Sequence, residues 1–332
     1  MDEEAKSSTS IRESSTTPTD IKVMVVGLDE DLAVPLAEVL KDVVLDLGTH
    51  FDLQGLDGVT VAANYSQALL ELDRGYETSH RLTPSNTYGA GVAMTPSVIR
   101  DGQLRSHILF DAANLIGMLQ DKKQTRVMNL IAHECAHVEI TRYFDSAFPG
   151  VLLKRKGNAL DVFRWDVTLA CWDEFAACWR SAPFGSDHTD EYEEVFLRVL
   201  DDTRQKANAS ITNYRLHADI SLVLSEVCGA YGNLMKYSAY HLGNLEGNNL
   251  SWRQMPNSAE RLAGHWFQPF FESLEGALKT LAKSYGSWVT EEPFEVLGEI
   301  AESLVADGGM YFYKNTDGTV GVDIPLTPET TP

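Results

Sequence analysis

The chain has 332 residues, of which 44% are hydrophobic and 23% are charged, the proportions of a soluble globular protein that can bury a sizeable core. Acidic residues outnumber basic residues 48 to 27, for a formal net charge of −21. This excess of negative charge argues against a general nucleic acid binder and against docking on anionic membranes. It does not choose between classes of enzyme.

The N-terminal segment and the cysteines bear on the cellular compartment. Residues 1–20 are polar and rich in Ser and Thr, without the apolar core of a secretory signal, and they predict a disordered tail. No window holds the roughly 18 consecutive apolar residues that a membrane span needs. The four cysteines form no CxxC pair, as is typical of reduced thiols. We therefore expect a cytoplasmic protein that binds neither membrane nor nucleic acid.

Strands and helices alternate in the first third of the chain. The predicted elements are, in order, a strand at 21–28, a helix at 34–47, a strand at 58–63, a short helix at 66–75 and two β-rich runs within 89–112. Residues 76–87 are turn-rich and predict a surface loop. The Asp101-Gly102 pair between the two β-rich runs predicts a hairpin.

From residue 113 the pattern becomes helical. Helices are predicted near 113–120, 123–145, 160–181, 188–206, 209–242, 258–285 and 292–306. Residues 309–326 return to strand, with "NTDG" as their turn. The pattern predicts an α+β, mostly helical fold in which a small mixed sheet packs on a larger helical body. The expected regions are a tail at 1–20, an α/β region at 21–185, a helical region at 186–306 and a C-terminal β-hairpin and tail at 307–332.

The segment "NLIAHECAHVEITRYF", residues 129–144, places three costly polar side chains in an apolar helical stretch. His133 and His137 are four residues apart, so on a helix they lie on one face, one turn from each other. Two neutral imidazole nitrogens suit a Zn²⁺ ion. Glu134 points to a neighbouring side, from which its carboxylate can reach a water without binding the metal. This is the HExxH pattern typical of metalloproteases.

The alternative interpretation is a pair of histidines on an ordinary amphipathic helix. The flanking residues argue against it, because they are apolar and predict a buried helix in which unpaired polar groups are penalised. They are Leu130, Ile131, Ala132, Ala136, Val138 and Ile140. Cys135, inside the motif, faces another side and is interpreted as a small buried hydrophobe.

A catalytic zinc site has three protein ligands and one open position, so a third ligand is expected from another segment. Glu174 is the best candidate, because it lies on the inward stripe of a predicted helix, where a carboxylate needs a partner. The stripe comprises Phe163, Val167, Ala170, Cys171 and Cys178. Glu139 is the rival. It lies two residues past His137, about 200° around the helix, and is expected to face solvent.

"HECAH" (133–137), followed by a helix that carries "WDEFAA" (172–177), resembles the gluzincin metallopeptidases, in which a glutamate on a following helix completes the HExxH site. The resemblance covers roughly residues 88–180. It implies a zincin-like fold: a twisted sheet whose edge strand borders the cleft, then the HExxH helix, then a ligand helix. The strand at 106–112 takes the place of that edge strand.

Carried over residue by residue, the resemblance implies that His133, His137 and Glu174 bind Zn²⁺ and that Glu134 is the general base. The implied activity is hydrolysis of peptide bonds by metal-activated water. A peptide or protein substrate would bind along the edge strand by strand addition.

The chain departs from the gluzincin pattern at one position. Many gluzincins place an Asp four residues after the third ligand, where it orients a ligating histidine, whereas this chain has Cys178. Asp173 or Asp145 is expected to supply that contact instead.

A group of polar residues near the end of a long predicted helix offers candidates for stabilising a developing oxyanion. They are Tyr237, Tyr240 and His241, and packing between helices is the alternative role for all three. The remaining histidines have no spacing typical of metal ligands and are interpreted as structural. They are His50, His80, His107, His188, His217 and His265.

Two other functions are compatible with the same residues. One is a catalytically silent zincin-fold protein with a regulatory or interaction role, in which the long helical region is a binding surface. The other is a metal-dependent hydrolase acting on a non-peptide amide or ester. The presence of Glu134 favours catalysis, because a structural metal site has no need of a base.

Overall fold

A computed structural model describes residues 14–78, 81–84, 91–120, 125–154 and 157–331. Its strands are β1 (Val23–Val26), β2 (Leu56–Ala62), β3 (Ala93–Met94), β4 (Ser97–Arg100), β5 (Gln103–Asp111), β6 (Tyr311–Lys314) and β7 (Val320–Asp323). Its α-helices are α1 (Glu30–Leu47), α2 (Tyr65–Glu71), α3 (Ala112–Leu115), α4 (Thr125–Ala147), α5 (Ala159–Ser181), α6 (Thr189–His217), α7 (Ile220–Gly247), α8 (Pro256–Leu262), α9 (Gln268–Lys283) and α10 (Glu292–Asp307). The predicted α+β, mostly helical fold with a small mixed sheet is confirmed.

Five strands form the mixed sheet. β1, β2 and β5 are parallel neighbours, while β3 and β4 pair antiparallel with successive parts of β5. The predicted hairpin joins β4 to β5, and its turn residues Asp101 and Gly102 have φ values of 52° and 76°. Both lie in the left-handed region that this tight hairpin turn demands.

The prediction that residues 106–112 form the edge strand is wrong. β5 pairs with β2 on one side and with β3 and β4 on the other, so it lies inside the sheet. The chain before the hairpin folds back and covers the outer side of β5. β3 and β4 therefore form the edge on this side of the sheet, and Thr95, directly after β3, contacts α4.

The helical body is built around α5. This helix packs against α4, α7 and α10, and one hydrophobic core includes residues from Ile21 to Ile324. Two predicted boundaries are wrong. The boundary between the helices predicted at 188–206 and 209–242 lies later in the chain, at Ala218 and Asp219. Ala218 has a left-handed conformation, and the side chain of Asp219 accepts a hydrogen bond from Leu222 N. The helix predicted at 258–285 is divided into α8 and α9.

Part of the predicted disordered tail is ordered. Residues 1–13 lie outside the described residues, but Ser15 and Thr17 donate hydrogen bonds to the carbonyls of Leu45 and Val44 near the end of α1. Thr16 N likewise donates to Gly48 O at 2.8 Å. The last carbonyls of a helix have no intrahelical partner, and these residues supply one.

The remaining predictions for the ends of the chain can be compared directly. The C-terminal hairpin is confirmed, with β6 and β7 antiparallel on either side of a turn at Gly318. The described parts of the predicted loop at 76–87 contain neither helix nor strand. Among the helices described, none is both long enough and apolar enough to cross a membrane.

Candidate metal centre

Two adjacent helices bring the three predicted ligands together. α4 carries His133 and His137 one turn apart, and α5 crosses it with Glu174 facing them. The two imidazole Nε2 atoms are 3.0 Å apart. Glu174 Oε2 lies 3.5 Å from His133 Nε2 and 3.6 Å from His137 Nε2. Three potential ligand atoms therefore form a compact triangle.

The dimensions of this triangle fit a metal ion. Ligand atoms at zinc-type bond lengths of about 2.0–2.2 Å in a tetrahedral site are about 3.3–3.5 Å from each other. Glu174 Oε2 is buried and has no hydrogen-bond partner among the described residues, although a buried carboxylate oxygen requires one. A divalent cation bound to the two imidazoles and this oxygen would satisfy all three.

Each imidazole contacts a second partner through its other nitrogen. His137 Nδ1 lies 3.0 Å from Asp173 Oδ1, and His133 Nδ1 lies 3.9 Å from Cys178 Sγ. A histidine that binds a metal through Nε2 carries its proton on Nδ1, and Asp173 and Cys178 lie beside these two Nδ1 atoms. Of the two alternatives that the sequence offered, Asp173 and Asp145, it is thus Asp173 that contacts a candidate histidine ligand. Asp145 is elsewhere and accepts a hydrogen bond from Gly150 N.

The carboxylates around the triangle set its charge. Burial opposes the charged form of His137, but Asp173, Glu174 and Glu134 outweigh it and raise its pKa to about 10. Burial opposes the charged form of Glu174 as well. There the contact with His133 and the positive charges nearby prevail and lower the pKa to about 2. Without a metal, His137 is therefore protonated beside an ionised Glu174, and a bound cation would replace that proton.

Glu134 lines the same cavity as the triangle without joining it. Its side chain is buried, and Thr95 donates a hydrogen bond of 2.6 Å to Glu134 Oε2. Thr95 follows the edge strand β3, so the sheet fixes the orientation of this carboxylate. The cavity has a volume of about 450 Å³ and is open to solvent.

Tyrosine side chains form one wall of the cavity. The ring of Tyr240 stacks between neighbours, with centroid distances of 6.1 Å to His133, 5.9 Å to Tyr192 and 5.6 Å to Tyr237. Burial, the charge of Glu174 and a hydrogen bond with Glu174 raise the pKa of Tyr240 well above its usual value. Its hydroxyl therefore remains protonated and serves as a donor.

His241 has the packing role and not the oxyanion role, whereas one prediction about Glu139 is wrong. His241 lies away from the cavity, fully buried, with its Nε2 3.1 Å from Ser258 Oγ. Glu139 faces away from the metal group, as predicted, but it is buried and not solvated. Asp52 N, Arg180 Nε and Tyr285 OH all donate hydrogen bonds to its carboxylate.

The other histidines lie outside the site. Within the described residues, His133, His137 and Glu174 are the one group of three potential ligands close enough to share an ion. His107 bonds Thr60 and Asp57, and His188 bonds Ser186 and Glu191. His80 lies outside the described residues. Cys135 is fully buried, as predicted.

Three polar residues that line the cavity were not predicted: Thr95, Tyr192 and Lys236. Lys236 precedes Tyr240 by four residues, so the helical spacing carried a signal that the two share a face. Thr95 and Tyr192 come from other elements, and no local pattern connects them to the HExxH helix.

Comparison of the chain with models of protein families finds no match, and comparisons with curated proteins and with solved structures find none either.

Proposed function

We propose that this protein is a zinc-dependent metallopeptidase of gluzincin type, with His133, His137 and Glu174 as metal ligands and Glu134 as general base. The observation that carries the proposal is the convergence of three donor atoms in a cavity that Glu134 also lines. A site with three protein ligands and a solvent-facing fourth direction is the arrangement of catalytic zinc, whereas structural zinc is enclosed by four.

The residues around the metal group have defined parts in hydrolysis. A bound Zn²⁺ supplies a Lewis acid for the carbonyl and makes water nucleophilic near neutral pH. Glu134 takes the proton from water as the oxygen adds to the carbonyl carbon, and delivers it to the amine as the C–N bond breaks. Thr95 orients that carboxylate. The Tyr240 hydroxyl would turn its proton from Glu174 to the carbonyl oxygen as that oxygen gains charge.

The edge of the sheet supports a peptide as the substrate. β3 pairs with β5 on one side and, in the described part of the chain, with no strand on the other. Gly91, Ala93, Met94 and Thr95 line the cavity, so an exposed strand edge borders the metal group. A second cavity of about 720 Å³ adjoins the first around His133, Glu134 and Tyr240 and lengthens the cleft. An extended peptide can add to such an edge by main-chain hydrogen bonds.

The test combines metal analysis with peptide hydrolysis. We expect about one zinc ion per chain, lost in His133→Ala and retained in Glu134→Gln. We expect cleavage of a peptide library by the wild type and a fall of about 10²- to 10⁴-fold in Glu134→Gln, the size of a general-base contribution. His217→Ala is the matched control. His217 is an exposed histidine at the end of α6, and this helix carries none of the three candidate ligands.

Two results would contradict the proposal. Absence of zinc after reconstitution of the wild type would remove the metal site. Undiminished hydrolysis by Glu134→Gln would remove the mechanism. Zinc binding with no cleavage of any peptide would instead support the catalytically silent zincin, and cleavage confined to small amides or esters would support the non-peptide hydrolase.

A further inference from the structure

The cavity at the metal centre meets an apolar groove at a single residue. The groove has a volume of about 420 Å³, lies between α5 and α7 and borders Phe312. Its apolar walls come chiefly from Val162, Phe163, Val167, Leu224 and Cys228. Lys236, on α7, lines both the groove and the metal cavity, and no other residue does.

The ammonium of Lys236 is the positive charge of this cavity. It lies 5.2 Å from the centre of the Tyr237 ring, and its charge contributes to the lowered pKa of Glu174. The residue is half-buried where the cavity meets the groove. An ammonium in such a place favours the approach of an anion with which it can form a charge-assisted hydrogen bond.

Apart from a bound metal ion, the other charged side chains of the cavity are acidic. Glu134, Asp173 and Glu174 line it, and Lys236 is the one Lys or Arg side chain among the described lining residues. An anionic substrate group near the metal is therefore attracted to the end of the cleft where Lys236 lies. The apolar groove begins at that same end.

We propose that Lys236 binds the C-terminal carboxylate of the peptide substrate and that the apolar groove receives the side chain of its C-terminal residue. This inference rests on the proposed peptidase function and names its substrate class. The ammonium and the groove are adjacent, so they recognise a carboxylate and an apolar side chain carried by one residue. An internal Asp or Glu offers the carboxylate without the apolar group. The preferred substrates are then peptides that end in a large apolar residue.

The test measures binding to the zinc-loaded Glu134→Gln protein, so that it does not depend on turnover. One peptide pair is identical except for a free C-terminal carboxylate or an amide after a final Phe. A second pair, amidated at the C-terminus, differs by an internal Glu or Gln. We expect the free acid to bind about tenfold or more tightly than the amide, the effect of a hydrogen bond between charged groups. Lys236→Met should abolish that difference, and Lys236→Arg should retain most of it.

A second arm tests the groove. Gly229 lines the groove, and a Cβ atom added there meets no atom within 4 Å. Gly229→Leu should fill the space and remove the preference for a final Phe over a final Ala. Lys283→Met is the control for loss of a lysine, since Lys283 is exposed at the end of α9. Zinc content and melting temperature verify that each variant is folded.

The outcomes separate this inference from the proposed function. Equal binding of acid and amide, or an unchanged preference in Lys236→Met, would overturn the role of Lys236. Discrimination between Glu and Gln but not between acid and amide would overturn the C-terminal assignment and place a side-chain carboxylate there. Failure of the peptidase function appears separately, as wild-type protein that binds zinc and cleaves no peptide.

Discussion

The two imidazoles of the metal group differ in their second contact. Asp173 offers a charged acceptor to His137, whereas Cys178 offers a neutral thiol to His133, because burial raises the pKa of that thiol well above its usual value. A carboxylate behind a histidine increases its basicity as a ligand more than a thiol does. The partners of His137 and His133 therefore raise the basicity of these two candidate ligands to different extents.

We expect Asp173→Asn to weaken zinc binding by about 10- to 100-fold, since it removes the negative charge behind His137 and leaves the ligand in place. Competition with a chelator of known affinity measures the change. Asp145→Asn is the matched control, because Asp145 contacts Gly150 N and not a ligand. Equal zinc affinity of Asp173→Asn and wild type would show that the 3.0 Å contact has no influence on the ligand.

At this scale, the sequence predicts residues that share a helix and does not predict contacts between elements. His133, Glu134 and His137 follow from spacing alone, and the buried stripe of α5 singles out Glu174. The choice between Asp173 and Asp145 stayed open, because it depends on the angle at which α5 crosses α4. The contact of Thr95 with Glu134 joins residues that are 39 positions apart, and no local sequence pattern predicts it.

At the scale of elements, close packing of α7 against α5 positions the cavity wall. Gly243 has no side chain, and a Cβ at that position would overlap the carbonyl oxygen of Phe175. Gly247, one turn further, meets the backbone of α5 at Trp179 in the same way. The two helices can approach only because these residues are glycines. This approach places Tyr240 and Lys236 of α7 opposite Glu174 of α5.

We expect Gly243→Ala to destabilise the fold by about 1–3 kcal/mol, since the added methyl group forces the two helices apart. Gly229→Ala is the matched control on the same helix. It meets no atom and should stabilise the protein by about 0.5–1 kcal/mol through helix propensity. Urea unfolding curves measure both. Equal effects of the two substitutions would contradict the role assigned to the contact.

The errors in predicted helix bounds have physical causes. The break between α6 and α7 depends on Ala218 in a left-handed conformation, which is rare for a residue with a side chain. The helix propensities of the residues around Ala218 do not predict this break. The division of α8 from α9 occurs at Gly264, whose φ of 71° interrupts the helical conformation.

At the scale of the whole molecule, the buried histidines make stability depend on pH. Burial lowers the pKa of His241 to about 4 from an ordinary value of 6.5, although the charge of Glu193 opposes the shift. The unfolded chain therefore binds more protons than the folded chain between those values, and stability decreases as the pH falls from about 6.5 to about 4. The full contribution, about 3 kcal/mol, is present above pH 6.5.

We expect His241→Gln to flatten this acid-side dependence, because glutamine can hydrogen-bond Ser258 but does not titrate. Free energies of unfolding measured at intervals from pH 7 to pH 4 test it. His217→Gln, at an exposed histidine, should leave the slope unchanged. A slope in His241→Gln as steep as in wild type would show that other groups, such as His107, whose pKa burial also lowers, are responsible.

The class of fold was predictable at this scale, because strand and helix periods differ clearly along the chain. The order of strands was not. Pairing of β5 with β2, β3 and β4 depends on which hydrophobic faces meet across long stretches of sequence, and a period cannot specify that.

The contacts of Glu139 bear on how an ion would bind at the proposed site. Its carboxylate joins α4 to the segment after α1, to α5 and to the segment after α9, through Asp52, Arg180 and Tyr285. None of these partners is a candidate ligand, so the contacts hold α4 in place independently of an ion. In small zinc domains, capture of the metal and folding are one event. At the site proposed for this protein we expect the opposite, namely that the folded chain takes up and exchanges its ion without unfolding.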